Sequence, residues 1–121
     1  MYLYGASGHA KVIIDILNEL GTNVDALFDD DNSINELLSI PVKHEWHGES
    51  PLIVSIGNNL TRKQIVDKLN CEFASITHPS AVVSPNSRIG AGTVVMQGAI
   101  IQSGVRIGEH CILNTGASVD H

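Results

Sequence analysis

The fold class predicted by this sequence is an α/β, Rossmann-like domain with a parallel sheet over residues 1–76, followed by the first coils of a left-handed β-helix over residues 77–121. Three observations lead there. Apolar runs alternate with stretches of helical period as far as residue 76. From Val83 onward an aliphatic residue returns at every sixth position. With 43% hydrophobic and 17% charged residues in 121, the chain has enough apolar material for a core and too little charge for disorder.

In the first stretch, Met1 to Tyr4 is an apolar strand that stops at Gly5-Ala6-Ser7-Gly8. Val12, Ile13, Ile16, Leu17 and Leu20 then recur at helical spacing until Gly21 ends the helix. Val24 to Phe28 reads as a second strand running into Asp29-Asp30-Asp31, and Leu52 to Ile56 as a third, broken at Gly57-Asn58-Asn59. Ile65, Val66 and Leu69 share one face of a second helix, and Phe73 to Ile76 is a short final strand. Strands this apolar, interleaved with helices, imply a parallel sheet covered on both faces. The segment from Asn32 to Ser50 has no clear period.

The second stretch repeats every six residues. Val83, Ile89, Val95, Ile101, Ile107, Leu113 and Val119 form the aliphatic series, and Ala81, Ser87, Thr93, Ala99, Val105, Cys111 and Ala117 form a small or β-branched one. Ordinary alternation would instead space apolar residues by two. A hexapeptide repeat with an inward aliphatic residue marks a β-helix, whose left-handed version takes three hexapeptides per triangular coil. Gly90, Gly92, Gly98, Gly104, Gly108 and Gly116 suit its turns.

Composition excludes several function classes. Seven Lys and Arg against thirteen Asp and Glu give a net charge of -6, and the basic residues do not cluster, so no nucleic-acid partner is expected. Met1-Tyr2-Leu3-Tyr4 lacks the basic start of a secretory signal, and Gly5 and Gly8 cut the apolar run short of a membrane span. No membrane association and a cytoplasmic location are expected. Cys71 and Cys111 are isolated packing residues, and none of the six histidines has ligand spacing with a carboxylate, so no metal site is expected. His44 and His47, beside Trp46, read as surface residues.

The remaining chemistry lies at strand ends. Gly5-Ala6-Ser7-Gly8 between strand and helix frees backbone N–H groups at a helix N-terminus, which suits a nucleotide phosphate. His9 can donate to a phosphate or sugar, and Asp29 and Asp30 end the second strand, where a carboxylate can accept from ribose hydroxyls or a base. The same turn and aspartate would also serve a nicotinamide dinucleotide, although Ala10 stands where that fingerprint often has a third glycine. His121 offers an imidazole whose ordinary pKa suits a general base.

Taken in order, Tyr4-Gly5-Ala6-Ser7-Gly8-His9, Phe28-Asp29-Asp30, Ile56-Gly57-Asn58-Asn59 and the hexapeptides ending in Asn114-Thr115-Gly116-Ala117-Ser118-Val119-Asp120-His121 resemble the left-handed β-helix sugar acetyltransferases. The branch most similar contains sialic acid O-acetyltransferases and the UDP-4-amino-sugar (bacillosamine) N-acetyltransferases. The resemblance covers the whole chain, while its members continue the β-helix for further coils, so the chain reads as an N-terminal portion. It implies acetyl transfer from acetyl-CoA to an amine or hydroxyl of a UDP-linked amino sugar or a sialic-acid-type sugar. It also implies that Ser7, Gly8, His9, Asp29, Asp30 and Gly57 contact the UDP-sugar, that His121 is the proton acceptor and that Asn114 is a nearby active-site residue. The family's carboxylate beside that histidine lies one residue beyond His121, and acetyl-CoA lies along later coils, so these 121 residues by themselves are expected to be catalytically silent. Homotrimers with the active site between subunits are implied as well. An NAD(P)-binding oxidoreductase or epimerase domain is the alternative, which does not need the hexapeptides. A noncatalytic β-helix scaffold is a third reading.

Overall fold

A computed structural model describes all residues, 1–121. Tyr2–Tyr4 (β1) lies between two parallel partners, Ala26–Phe28 (β2) and Leu52–Val54 (β5), with Leu3 in register with Leu27 on one side and Ile53 on the other. These strands are apolar throughout because both of their faces are covered. Gly8–Glu19 (α1) lays Ala10, Ile13, Ile14, Ile16 and Leu17 on the face that carries Leu3, Leu27 and Ile53, and Gly21, at φ +70°, follows its end. Asn59–Lys68 (α2) covers the opposite face, where Ile65 meets Phe28, Leu52 and Val54. Asn58 caps it by accepting from the Thr61 N–H at 2.9 Å.

The segment without a period contains two strands, Glu36–Leu37 (β3) and Ile40–Lys43 (β4). β4 joins β2 in parallel, but β3 pairs with β4 in antiparallel fashion, so the sheet order is β3-β4-β2-β1-β5 and the sheet is mixed. The expected parallel sheet is thus present in β4-β2-β1-β5, with β3 added in antiparallel fashion at its edge. The signal was missing because only Val42 of β4 is buried, and one inward residue has no period. Leu38 and Ser39 form the two-residue hairpin loop, both with positive φ (49° and 65°).

Phe73 makes only an isolated bridge to Leu52, and Ile76–Thr77 (β6) belongs instead to the repeats. Those continue as Val82–Val83 (β7), Arg88–Ile89 (β8), Val94–Val95 (β9), Ile100–Ile101 (β10), Arg106–Ile107 (β11), Ile112–Leu113 (β12) and Ser118–Val119 (β13). Each strand from β6 to β10 pairs in parallel with the one three strands ahead, giving three stacked walls, β6-β9-β12, β7-β10-β13 and β8-β11. The register is 18 residues, as in Ile76↔Val94↔Ile112. The aliphatic series faces inward: Val95 and Ile101 are buried among Val83, Ile89, Ile107, Leu113 and Val119, with Ala99 and Val105.

The walls differ outside. Ile76, Val94 and Met96 are buried in one cluster with Leu3 and Ile13, so the β6-β9-β12 wall packs beneath the α1 face of the first sheet. Arg88 and Arg106 stand exposed on a second wall, and Val82, 64% exposed, stands beside Ile100 on the third. Gly92, Gly98, Gly104 and Gly116 take positive φ at the turns, as expected of glycine there. Gly90 and Gly108 do not: a Cβ on Gly90 would lie 2.6 Å from the Gly108 carbonyl group, so close approach of successive coils is what requires glycine at this position.

Candidate functional site

The strand ends of β1, β2 and β5 bring six of the sequence-singled residues to one edge of the first sheet. Ser7 stands exposed at the N-cap of α1 in extended backbone, and no side chain caps the helix, leaving its first-turn N–H groups without a side-chain acceptor. The turn before it is held from both neighbouring strands. The Gly5 N–H donates to the Phe28 carbonyl at 2.7 Å, and the buried Ser55 hydroxyl donates to the Gly5 carbonyl at 2.6 Å. Gly5 itself, at φ +114°, has no room for a side chain, since a Cβ would meet Ile56 Cγ1 at 2.6 Å.

Asp29 is committed to the same turn. Its Oδ2 accepts from the Ala6 N–H at 2.8 Å and its Oδ1 from the Asp31 N–H at 2.9 Å. It shapes the edge, and its unused lone pairs remain for a ligand. Asp30 is exposed and accepts from the Tyr4 hydroxyl at 2.7 Å. Burial, together with that bond, pushes the Tyr4 hydroxyl up to about 12, so it stays a donor. His44 also belongs to this edge, with Nδ1 3.0 Å from the Asp29 carbonyl oxygen; half-buried, it is not the free surface residue expected.

His9 faces Gly57, whose added Cβ would lie 3.9 Å from the His9 Cβ. Its Nε2 is buried without a hydrogen-bond partner. Burial, and secondarily the Arg62 charge, lowers its pKa, so at neutral pH the ring is an uncharged imidazole with an unused polar atom. Such an orphan atom at a site edge is satisfied when a ligand supplies the missing partner.

Arg62, on α2, was not singled out by sequence. It is 8% exposed, and no carboxylate pairs with it. Its Nη1 donates to the carbonyls of Ile56 (3.0 Å) and Gly57 (3.1 Å), its Nη2 to Asn59 Oδ1 (2.6 Å), and its Nε to the carbonyl of His110 (2.8 Å) in the repeats. The available signal was its position three residues before Ile65, in line with the apolar stripe of the helix. A cleft of about 380 Å³ opens beside it, lined by Asn59, Lys63, Val66, Asp67, Glu109 and His110.

His121 lies elsewhere. It is exposed after β13 and borders an open recess with Gln102, Ser103 and Asp120. Asn114 is exposed in the turn after β12, where its carbonyl accepts from the Ala117 N–H at 3.0 Å. The two residues follow strands of different walls, and no hydrogen bond joins them to each other or to the edge around His9. No three His, Cys, Asp or Glu side chains come together as metal ligands would, and no helix is long and apolar enough to cross a membrane.

Comparison with known proteins finds matches to both parts of the chain. Residues 1–69 match the family described as the PglD N-terminal domain, and residues 86–121 match the bacterial transferase hexapeptide. UDP-N-acetylbacillosamine N-acetyltransferase of Bacillus subtilis (strain 168) is 36% identical over 112 residues, covering 78% of this chain and 50% of the relative, so the chain spans about half that protein's length. A histidine-to-asparagine mutant of perosamine N-acetyltransferase from Caulobacter crescentus, in complex with CoA and GDP-perosamine, superposes with a TM-score of 0.88 at 36% identity, over 98% of this chain and 61% of that one. The acetyltransferase domain of PglB from Neisseria gonorrhoeae FA1090, in complex with acetyl coenzyme A, gives 0.85 at 34% identity, over 99% and 63%. With residues 1–69, more than half of its length, matched by that N-terminal-domain family and its walls matched by the hexapeptide family, this chain belongs to the PglD N-terminal-domain family and carries bacterial transferase hexapeptides.

Proposed function

We propose that residues 1–76 form a Rossmann-like domain that binds a UDP-linked amino sugar and that residues 77–121 are coils of a left-handed β-helix on which its acetylation from acetyl-CoA takes place. The observation that carries this reading is the convergence of the uncapped α1 N-terminus, His9, Asp29, Asp30 and Gly57 on one edge of the first sheet. In this assignment the diphosphate sits on the N–H groups of Ser7, Gly8 and His9, and the uncharged His9 ring supplies a further hydrogen bond. Asp29 and Asp30 receive the nucleoside.

His121 acts as general base. The sugar amine attacks the thioester carbonyl, the C–N bond forms, the C–S bond breaks, and the proton lost by the amine passes through the imidazole to the departing thiolate. Asn114 is assigned to the same active site. Protein with two free cysteines suits a reducing compartment, and the cytoplasm is the proposed location. The exposed Val82 and Ile100 wall suits burial against a second and third copy in a homotrimer.

Calorimetric titration with UDP- and GDP-linked amino sugars tests the binding assignment. A UDP-sugar is expected to bind, and His9→Ala to weaken it at least tenfold. Binding of NAD in place of any sugar nucleotide would overturn the reading in favour of an oxidoreductase domain. In an enzyme carrying the acetyl-CoA site, His121→Ala should lower the rate of CoA release on the order of a hundredfold, the usual scale for loss of a general base; an unchanged rate would remove His121 from the mechanism.

A further inference from the structure

The turns of the repeats put glycine at positive φ at residues 92, 98, 104 and 116, six or twelve residues apart, and the one place in that series held by another residue is His110, at φ +53°. A histidine there is strained, on the order of 1 kcal/mol relative to glycine. Its surroundings show what offsets that. The ring meets Phe73 edge-on, with centroids 4.5 Å apart at 88°, and lies against Gly92, where a Cβ would collide with it. The backbone N–H of His110 donates to the Ala91 carbonyl at 2.8 Å, and its backbone carbonyl accepts from Arg62 Nε at 2.8 Å. Two residues of the first unit, Phe73 and Arg62, thus grip a single residue of the repeats from opposite ends.

The other end of Arg62 is what gives this grip a functional side. Its Nη1 spans the carbonyls of Ile56 and Gly57, and Gly57 faces His9. An almost fully buried guanidinium without a carboxylate partner is costly, and acceptors held in fixed positions compensate it. Four of its five N–H groups are so used. The arrangement works only while the Ile56-Gly57 loop, α2 and the His110 turn keep their relative places.

We infer that Arg62 is a positioning residue for sugar-nucleotide binding, its guanidinium latching the loop that faces His9 to the His110 turn of the repeats. The inference rests on the sugar-nucleotide reading above. It assigns Arg62 no contact with substrate: Arg62 acts by holding Gly57 against His9 and by fixing the edge that binds the nucleotide relative to the walls that carry His121.

The experiment pairs binding with amide exchange on the whole chain. Arg62→Gln should raise the Kd for the UDP-sugar about tenfold and Arg62→Lys about threefold, because lysine keeps the charge but cannot span separated carbonyls. Both are measured well below each variant's melting temperature, where a merely stabilising contact would leave the Kd unchanged. Exchange at the hydrogen-bonded amides of residues 61–62 and 110–111 should rise together in Arg62→Gln. If either arginine variant fails to fold, Asn59→Ala, which removes one acceptor and leaves the backbone alone, should still raise the Kd two- to threefold. Variants that bind the sugar nucleotide as the unaltered chain does, with only a lower melting temperature, would overturn the inference. If the unaltered chain binds no sugar nucleotide, the binding reading itself fails; the latch is then judged by exchange, and independent behaviour of the two amide segments would overturn it.

Discussion

Gly90→Ala is the sharpest probe of how the coils stack. The added methyl would lie 2.6 Å from both the carbon and the oxygen of the Gly108 carbonyl and 2.7 Å from the Glu109 nitrogen. All three are backbone atoms, so no side chain can swing away. Restoring an ordinary contact of 3.4 Å requires the two coils to part locally by about 0.8 Å, the difference between those distances. The Gly90 N–H to Ile107 carbonyl bond (2.9 Å) and the Thr93 hydroxyl to Gly108 carbonyl bond (2.8 Å) cross that gap. Weakening both costs about 1 kcal/mol each, and overpacking adds about 1–3 kcal/mol. Against this, alanine stabilises by roughly 0.5 kcal/mol through the unfolded chain, leaving a net loss of about 3 kcal/mol. For a chain of this size that lowers Tm by roughly 10 °C. The control is Gly104→Ala, at φ +80° with nothing within 4 Å of the new methyl, which costs only the backbone preference of about 1 kcal/mol. Urea unfolding followed by circular dichroism should place the Gly90 variant's midpoint clearly below the control's, at similar m. Equal midpoints would show that the coils yield freely, and the stacking argument would fail.

In the hairpin, Leu38→Asn with Ser39→Gly places the residues preferred by a two-residue turn with positive φ, and should raise stability by about 1 kcal/mol; a lower Tm would refute the turn assignment. The pH dependence follows from His9 and His110, both held below the ordinary value of about 6.5 chiefly by burial. Below that value the unfolded chain binds protons that the folded chain refuses, so stability is complete above about pH 6.5 and declines as the pH falls, until the folded-state pKa values are reached. Melting scans from pH 7.5 to 5 should show this decline, and His9→Gln together with His110→Gln should flatten it; an identical slope in the double variant would assign the effect to other groups.

How much of this was legible follows from how each element is buried. The inner series Val83 to Val119 could be read directly because one side chain in six points into a dry interior, and nothing else in the chain disturbs that spacing. α1 was legible for a similar reason, its apolar stripe being wide and continuous. β3 and β4 were not, because an edge hairpin with one buried residue leaves only its turn, and that turn uses Leu38 and Ser39 in place of the usual asparagine and glycine. At the candidate site the glycine turn, His9 and the paired aspartates were visible as residue types at strand ends. Arg62 and His110 were hidden for opposite reasons. A buried arginine looks like a surface residue on a helix, and a histidine in a glycine's place shows only when the turns are aligned six residues apart.

The 18-residue register also limits how the length of this protein can change. Six residues added to or lost from the repeats would keep an aliphatic residue at every inward position, so the interior would survive. It would not keep the walls. Losing Ser84 to Ile89, for example, would move Ile100 to the place of Val94, beneath α1, and bring Arg106 into the row now shared by Val82 and Ile100. Losing twelve would bring an arginine under α1, against Leu3 and Ile13. Only a change of a full coil returns every residue to the wall it occupies now. In the region that faces α1, length variation is therefore expected in steps of three hexapeptides, although the repeating unit of the sequence is one.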